Sequence, residues 1–397
     1  RKVTVNMSVE ECMAFSKDMA ILGKSLSDLK KKITIPNDIP ILGIKSGATS
    51  FGHRYHHPDA LEIKSPSEYS NILRNKGHVI VNYNERLSLI RSQISSVAKN
   101  SKGNAIIDPG LLDEVASLVE WPVSFIGNFD PKFLKLPKEV LIATMQDNQK
   151  YFPVTNDKKE LMPLFVCVSN IESNNLELIK KGNERVIRPR LSDAVFFWEW
   201  DLKYGLKNHR QSLKEVVYQK DLGTLYDKSE RLVKTLSLIG EKINLDIDSA
   251  KTAAALCLCD LLTKMVSEFP KLQGTMGRYY AKAEGENNDI AIALEEFYQP
   301  RFSGDKLPKT LSGQCLAISE KIDSLIGIFS IGKAPTGDKD PFALRRSAIG
   351  ILRIIIECEI DIDLKDLLST AASTFSNKNQ SLNCINDVYT FLIERLR

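Results

Sequence analysis

A cysteine and an aspartate stand side by side at Cys259 and Asp260, in an apolar stretch with helical spacing. A helical pair of this kind holds a divalent metal and activates water when one member is a histidine, because such metals take imidazole nitrogen beside carboxylate oxygen. No histidine occurs from Arg210 to Arg397. A simpler interpretation is an ion pair between Asp260 and Lys264, one helical turn on. The sequence therefore predicts a region that holds a ligand, with no metal site.

A second candidate group is the arginine-rich sequence GDKDPFALRRSAIGILR at residues 337–353. Asp340 followed by Pro341 predicts the start of a helix, whose positive end would attract an anion beside Lys339. One face of that helix would carry basic side chains around a residue without a side chain: Arg346, Gly350 and Arg353, with Arg345 at its edge. A phosphate backbone could approach this face. Acidic side chains of the protein could fill it equally well, because arginine pairs with carboxylate and phosphate through the same fork.

A third group is the sequence GNERVIRPRLSDAVFFWEW at residues 182–200, where basic residues precede an aromatic run. Because a residue before proline is steered away from the helical conformation, Pro189 predicts an extended Arg188 that could follow a phosphate strand. The arginines are Arg185, Arg188 and Arg190, and the aromatic residues are Phe196, Phe197, Trp198 and Trp200. Large aromatic side chains are mostly buried, so packing in a core or interface is favoured over stacking on bases. Weaker candidates for phosphate contact are Arg278, Arg301 and Lys306.

Other patterns do not predict a reactive centre. His53, His56 and His57 cluster in FGHRYHHPD, but no thiol or carboxylate follows at a metal-ligand spacing, so a zinc site is not expected. The sequence GKS at residues 23–25 lacks the leading glycine of a phosphate-binding loop, and GIFSIG at 327–332 is not a nucleophile elbow. The chain is predicted to contain no catalytic residue and no cofactor site of its own.

Composition bounds the class of protein. With 397 residues and 43% hydrophobic content, the chain is long enough for two or three domains with their own cores. A net charge of +4 on 54 basic and 50 acidic residues means that any nucleic-acid surface must arise from local clustering. Seven scattered cysteines without a CxxC pair, and no apolar run long enough for a membrane span, predict a soluble cytoplasmic protein with reduced thiols.

The hydrophobic pattern changes along the chain. Short β-rich runs separated by turn signals and helical patterns predict an α+β domain at residues 46–190. Apolar residues at spacings of three and four then predict an all-α bundle at 191–397, with one continuous helical face that includes Ala254, Leu258, Leu261, Leu262 and Met265. The role of residues 1–45 is left open.

Several stretches resemble a known family, the beta subunit of the bacterial heterotetrameric glycyl-tRNA synthetase. They are GHVIVNYNERL at 77–87, LLDEVASLVEWPV at 111–123, GNERVIRPRLSDAVFF at 182–197, YQPRFSGDKLP at 298–308 and GDKDPFALRRSAIGILRI at 337–354. They occur in the family's order from about residue 52 onward. The resemblance implies an internal fragment of a longer protein, without the family's C-terminal anticodon-binding domain.

The resemblance also implies an HD-like fold for the helical bundle. Cys259, Asp260 and the later Asp323 resemble, in order, the histidine-aspartate pair and trailing aspartate of HD-type hydrolases, in a form that has lost its imidazole. The family's catalytic alpha subunit uses ATP and Mg²⁺ to join glycine to tRNA(Gly). This chain would bind and position that tRNA beside the alpha subunit, as part of a ligase, without a catalytic centre of its own.

Two other functions remain open from the residues alone. One is a metal-dependent phosphohydrolase of HD type, if Asp260 and Asp323 still gather a metal. The other is a scaffold that stabilises the alpha subunit and never contacts RNA.

Overall fold

The computed structural model describes residues 47–240, 243, 245–337 and 339–396, apart from the side chain of Lys378. The described residues divide into two compact units between Asn82 and Tyr83. The expected lead-in at residues 1–45 and the GKS sequence at 23–25 lie outside the described residues.

The described part of the first unit is a short β-hairpin followed by a helix. Strand β1 (Thr49–Phe51) pairs antiparallel with β2 (Ala60–Glu62), and α1 spans Tyr69–Asn75. Between the strands, the buried His53 donates its backbone N–H to the Gly77 carbonyl at 2.6 Å. Its Nδ1 lies 3.3 Å from the backbone nitrogens of Tyr55 and His56, which donate to it. This histidine therefore organises a turn.

The second unit begins with a four-stranded antiparallel sheet in the order β3-β5-β6-β4. Its strands are β3 (Asn104–Ala105), β4 (Val123–Asn128), β5 (Phe152–Thr155) and β6 (Leu161–Ser169). The helices within this region are α2 (Tyr83–Asn100), α3 (Pro109–Leu118) and α4 (Lys138–Ala143), with a 3-10 turn at Pro131–Lys135 and a π-turn at Thr144–Asn148.

Side chains alternate between the two faces of the sheet, as the period of a strand requires. Val166 of β6 packs with Ile90 and Ile94 of α2 on one face. Its neighbour Phe165 packs on the opposite face in the large core that also contains Ile187. The sheet is therefore covered on both sides.

The rest of the second unit is mainly helical. Its helices are α5 (Leu176–Tyr204), α6 (His209–Ser212), α7 (Leu225–Gly240), α8 (Ile247–Leu256), α9 (Lys264–Glu268), α10 (Thr275–Ala283), α11 (Asn288–Glu296), α12 (Leu311–Ser330), α13 (Leu344–Glu357), α14 (Leu364–Ser373), α15 (Lys378–Asn383) and α16 (Ile385–Ile393). A small hairpin, β7 (Val217–Gln219) and β8 (Gly223–Thr224), precedes α7. The predicted order, an α+β part followed by a mostly helical part, is confirmed.

Helix α5 corrects one prediction about the chain's course. The helix runs unbroken from Leu176 to Tyr204 with Pro189 inside it, so the extended conformation predicted for Arg188 is wrong. The lost backbone hydrogen bond is tolerated because Ile187, Leu191 and Ala194 are buried in the large core. The expected division into residues 46–190 and 191–397 falls inside this helix and stays a prediction.

The apolar stretch around Cys259 is also not one helix. Helix α8 ends at Leu256, a 3-10 turn covers Cys259–Leu262, and α9 starts at Lys264. Thr263 is extended and its side chain accepts from the backbone N–H of Val266, which caps α9. The predicted continuous helical face is therefore two faces joined by a turn. In the described residues, no helix is both long and apolar enough to cross a membrane.

Candidate nucleic-acid interface

Helix α5 exposes two aromatic rings and, earlier along the helix, two arginines. Phe196 and Trp200 are 53% and 48% exposed, and one turn separates them. Arg185 and Arg188, earlier on the same helix, are exposed as well. The expectation that the aromatic run is buried therefore holds for Phe197 and Trp198, which pack against the core, and is wrong for Phe196 and Trp200.

A lysine from a neighbouring helix completes this surface. The Lys264 ammonium lies 4.2 Å from the Trp200 ring centre and 5.5 Å from that of Phe196. Cation–π contacts of this kind hold the lysine against the rings while the rings keep an open side. Exposed aromatic faces with cations beside them are what an unpaired base and its phosphate require. Hereafter, Arg185, Arg188, Phe196, Trp200 and Lys264 are called the α5 surface.

A buried carboxylate fixes the geometry of the α5 surface. Asp201, next to Trp200 in sequence, accepts hydrogen bonds from the backbone nitrogens of Lys264 at 2.9 Å and Met265 at 3.0 Å. It also accepts from the Tyr280 hydroxyl at 2.8 Å. The first turn of α9 is therefore attached to α5 at the residue beside Trp200. Burial raises the pKa of Tyr280, so its hydroxyl stays a donor.

The helix predicted at Asp340 starts later. Helix α13 begins at Leu344, after Ala343 in the left-handed conformation (φ 54°). The Asp340 carboxylate accepts from the backbone nitrogens of Leu344 at 2.8 Å and Arg345 at 2.9 Å. The anion expected at the positive end of this helix is therefore the protein's own carboxylate.

The arginines of α13 are partly tied to the neighbouring loop. Arg353 pairs with Glu357 at 2.7 Å, and its Nη1 donates to the Asp305 carbonyl at 3.3 Å. Arg346 is exposed and donates to the Arg301 carbonyl at 3.3 Å. The Lys321 and Pro300 side chains would lie 3.1 and 3.4 Å from a Cβ at residue 350. The expected phosphate approach at Gly350 is therefore wrong, since these two side chains fill that space.

The weaker candidates divide between paired and exposed side chains. Arg278 lies 2.9 Å from a Glu295 carboxylate oxygen and packs over the Tyr279 ring. Arg301 pairs with Asp305 at 3.1 Å. Burial alone would raise the pKa of Asp305, but hydrogen bonds from Arg301 lower it overall. The Arg345 guanidinium donates to the Gly337 carbonyl, and the exposed side chains are Arg190, Lys306 and Lys339.

Asp260 is a buried cap and makes no ion pair with Lys264. One of its carboxylate oxygens accepts from the backbone nitrogens of Gly274 at 2.5 Å and Gly277 at 3.1 Å, at the start of α10. The other oxygen is buried without a hydrogen-bond partner among the described residues. Burial raises the pKa of Asp260 to about 7, against the lowering effect of those two backbone donors. Burial also raises the pKa of the neighbouring Cys259 thiol to about 12, which keeps it neutral.

Asp323 is held by cations that the sequence reasoning missed. Arg231 approaches both of its oxygens, at 2.6 and 3.1 Å, and the Lys228 ammonium lies 3.9 Å away. Lys228 also pairs with Glu320 at 2.9 Å, and burial would lower its pKa, but the surrounding negative charge raises it. Lys228 and Arg231 lie three residues apart on α7, a spacing that puts both on one helical face.

Cys259, Asp260 and Asp323, the three positions expected to be a degenerate metal site, thus lie in separate surroundings. Asp260 accepts from backbone amides, Asp323 pairs with a guanidinium, and Cys259 is a neutral thiol. Within the described ranges, no group of three or more histidine, cysteine or acidic side chains is arranged to hold a metal ion.

Comparison with known proteins agrees with the resemblance seen in the sequence. The family model described as glycyl-tRNA synthetase beta subunit matches residues 31–397. The chain belongs to the glycyl-tRNA synthetase beta subunit family. It is 46% identical over 360 residues to the glycine–tRNA ligase beta subunit of Hahella chejuensis, covering 91% of this chain and 52% of that protein.

Two further relatives of the family show the same coverage. The glycine–tRNA ligase beta subunit of Coxiella burnetii is 48% identical over 357 residues, 90% of this chain and 52% of the relative. That of Pseudomonas putida is 46% identical over 360 residues, 91% of this chain and 53% of the relative. The chain therefore spans about half the length of the curated relatives it matches.

Proposed function

We propose that this chain is the part of a glycyl-tRNA synthetase beta subunit that binds tRNA and positions its acceptor end. The alpha subunit would then join glycine to tRNA(Gly) with ATP and Mg²⁺, and this chain would contribute by placement. The observation that carries the proposal is the α5 surface, where exposed Phe196 and Trp200 lie beside Lys264 on a helix that also carries two exposed arginines.

The proposal extends to the fold and the partners. The helical region is an HD-like domain whose former metal positions, Cys259, Asp260 and Asp323, have become structural. The alpha subunit and tRNA(Gly) are the partners in a heterotetramer, and the cytoplasm is the compartment where tRNA is charged. The engagement of Asp323 by Arg231 supports RNA binding over phosphoester hydrolysis, because a guanidinium occupies the oxygens that a metal would need.

Salt-dependent binding of tRNA to the complete complex tests the proposal. Arg185→Gln with Arg188→Gln removes two cations from the α5 surface without removing a buried group. The affinity falls as salt rises, so the slope of log affinity against log salt is negative. Each lost phosphate contact should make this slope less steep by about 0.9 on a duplex. A matched control is Lys234→Gln with Lys282→Gln, two exposed lysines on α7 and α10.

The outcome separates tRNA binding from a scaffold role. We expect weaker tRNA binding in the arginine variant, an unchanged control, and normal association with the alpha subunit by gel filtration. A second variant, Arg346→Gln with Arg353→Gln, tests whether the α13 arginines also contact RNA. If tRNA affinity is the same in all variants, the scaffold function is favoured and the proposal fails.

A further inference from the structure

Two adjoining cavities lie beside the turn that joins β5 to β6. The first has a volume of about 440 Å³ and the second about 450 Å³. Both are lined by Lys138, Lys159 and Leu161, so they adjoin at these residues. We call the two together the hairpin groove. Each part falls within the size range of small-molecule sites, roughly 300–1,000 Å³.

Three lysines and two carboxylates line the groove, which leaves it an excess of one positive charge. Lys138, Lys158 and Lys159 line it, and none of them makes an ion pair with a described residue. The two acidic residues that line the groove with them each accept a hydrogen bond from a side-chain amide. Asp157 accepts from the Asn104 amide at 3.2 Å, and Glu160 accepts from the Asn156 amide at 2.8 Å. An incoming anion would therefore meet lysines that make no ion pair with a described residue, in a groove with one positive charge in excess.

The turn that carries two of these lysines is rigidly built. The Asn156 side-chain oxygen accepts from the backbone nitrogens of Lys158 and Glu160, both at 2.9 Å. The backbone N–H of Asn156 donates to the Glu160 carbonyl, and that of Lys159 donates to the Asn156 carbonyl, both at 2.9 Å. Lys159 adopts φ 61°, a left-handed conformation that is uncommon for lysine and costs about 1 kcal/mol. The hydrogen bonds of the turn therefore hold Lys159, which lines the groove, in this conformation.

The remaining lining of the first cavity is partly apolar and partly polar. Ile106, Ile142 and Leu161 are its aliphatic residues, and Asn104, Thr155 and Asn156 also line it. The Asn104 and Asn156 amide nitrogens each donate one hydrogen to a carboxylate of the protein, which leaves each a second hydrogen to donate. A flat heteroaromatic ring can lie on aliphatic side chains while such amides donate to its edge. A long acyl chain would instead need a deep, enclosed apolar cavity.

We propose that the hairpin groove binds a nucleoside 5′-phosphate, with the base on Ile106, Ile142 and Leu161 and the phosphate between Lys138 and Lys159. Such a unit is available as a free nucleotide or as an unpaired nucleotide of an RNA chain. The proposal is independent of tRNA binding by the α5 surface, which lies on another element.

Equilibrium binding to the complete alpha–beta complex tests this with four probes: AMP, adenosine, inorganic phosphate and a short single-stranded RNA. Because the alpha subunit is expected to use ATP, each measurement is compared with Lys138→Gln/Lys159→Gln in the same complex. We expect the lysine variant to lose one AMP-binding event, or to weaken it at least roughly tenfold. The control Lys234→Gln/Lys282→Gln and the α5 variant Arg185→Gln/Arg188→Gln should leave AMP binding unchanged.

The results distinguish the two sources and can overturn the proposal. If AMP competes with the RNA probe at the lysine-dependent site, the natural ligand is an unpaired RNA nucleotide. If AMP binds there and RNA does not, it is a free nucleotide. The proposal fails if the lysine variant binds AMP and RNA as the unaltered complex does. It also fails if inorganic phosphate binds that site as tightly as AMP, or if adenosine binding depends equally on the lysines.

Discussion

At the scale of single residues, burial separates structural charges from those available to a partner. Asp201, Asp260 and Asp323 are nearly inaccessible, and each accepts hydrogen bonds from backbone amides or from a guanidinium. Such pairing is required because an unpaired buried ion is strongly destabilising. The exposed rings and cations of the α5 surface have no comparable internal role. Exposing large aromatic rings to water is unfavourable, so we expect a partner to cover them.

Replacing the exposed tryptophan tests the stacking role directly. Trp200→Ala should weaken tRNA binding by about 1–3 kcal/mol, because it removes one aromatic platform and releases Lys264. Little stability should be lost, since the ring is about half exposed. Filter binding measures the affinity, and Leu178→Ala, a 67% exposed residue of the same helix, is the control. Equal affinities for both variants would remove Trp200 from the interface.

The buried Asp260 predicts a pH dependence of stability. Its pKa in the folded protein is about 7, above the ordinary value of 3.8, so the folded state holds the proton more tightly than the unfolded state. This contribution to stability is complete below about pH 4 and is lost as pH rises to 7. Asp260→Asn keeps an oxygen for the two glycine amides and removes the titration.

Urea unfolding at several pH values between 4 and 8 measures this effect. The free energy of unfolding of the unaltered protein should fall more steeply with pH than that of Asp260→Asn. Glu268→Gln, an exposed carboxylate of α9, serves as the control and should keep the original slope. Parallel curves for all three proteins would show that Asp260 is not protonated in the folded state near neutral pH.

At the scale of elements, helix α5 shows how packing overrides a local preference. The sequence around Pro189 disfavours a helix at Arg188, yet the helix continues because its buried side meets the sheet before the proline and the bundle after it. The same helix carries Asp201, whose hydrogen bonds set the start of α9 and therefore the position of Lys264. One element thus positions every member of the α5 surface.

Substitution of the proline tests the strain in α5. Proline in a helix interior costs about 3 kcal/mol relative to alanine, so Pro189→Ala should stabilise the protein, by up to that amount. Because the Pro189 side chain is exposed, a change in its packing would not explain the gain in stability. Thermal unfolding should show a higher Tm for Pro189→Ala and almost no change in Tm for the nearby Ser192→Ala. A decrease in Tm would mean that the proline ring itself makes a stabilising contact.

At the scale of the whole molecule, the second unit has a core that continues from the sheet into the helices. Phe125 and Phe165 of the sheet, Leu191 of α5, and Met265 and Tyr280 of the bundle belong to the same cluster. Because this cluster crosses residue 190, its two parts share one folded core. A separate cluster around Ile322 and Ile351 joins α12 and α13 with the last helices.

A cut at the expected boundary tests this continuity. Fragments 83–190 and 191–397 would each expose one half of the shared core, so neither should unfold cooperatively alone. Circular dichroism and denaturant unfolding of the separate fragments provide the measurement, with the uncut 83–397 as reference. Two cooperative transitions at the stability of the reference would instead support two independent domains.

The sequence by itself determined the family, the change from an α+β part to a mostly helical part, and the absence of histidine from Arg210 to Arg397. These depend on periodicity, composition and ordered motifs, which are local properties of the chain. Only the tertiary structure decided which cations are free and which aromatic rings are exposed. Asp323 pairs with Arg231, 92 residues away, and Lys264 reaches Trp200 from another helix. The sequence could not specify such contacts, because they arise from packing between elements that are distant along the chain.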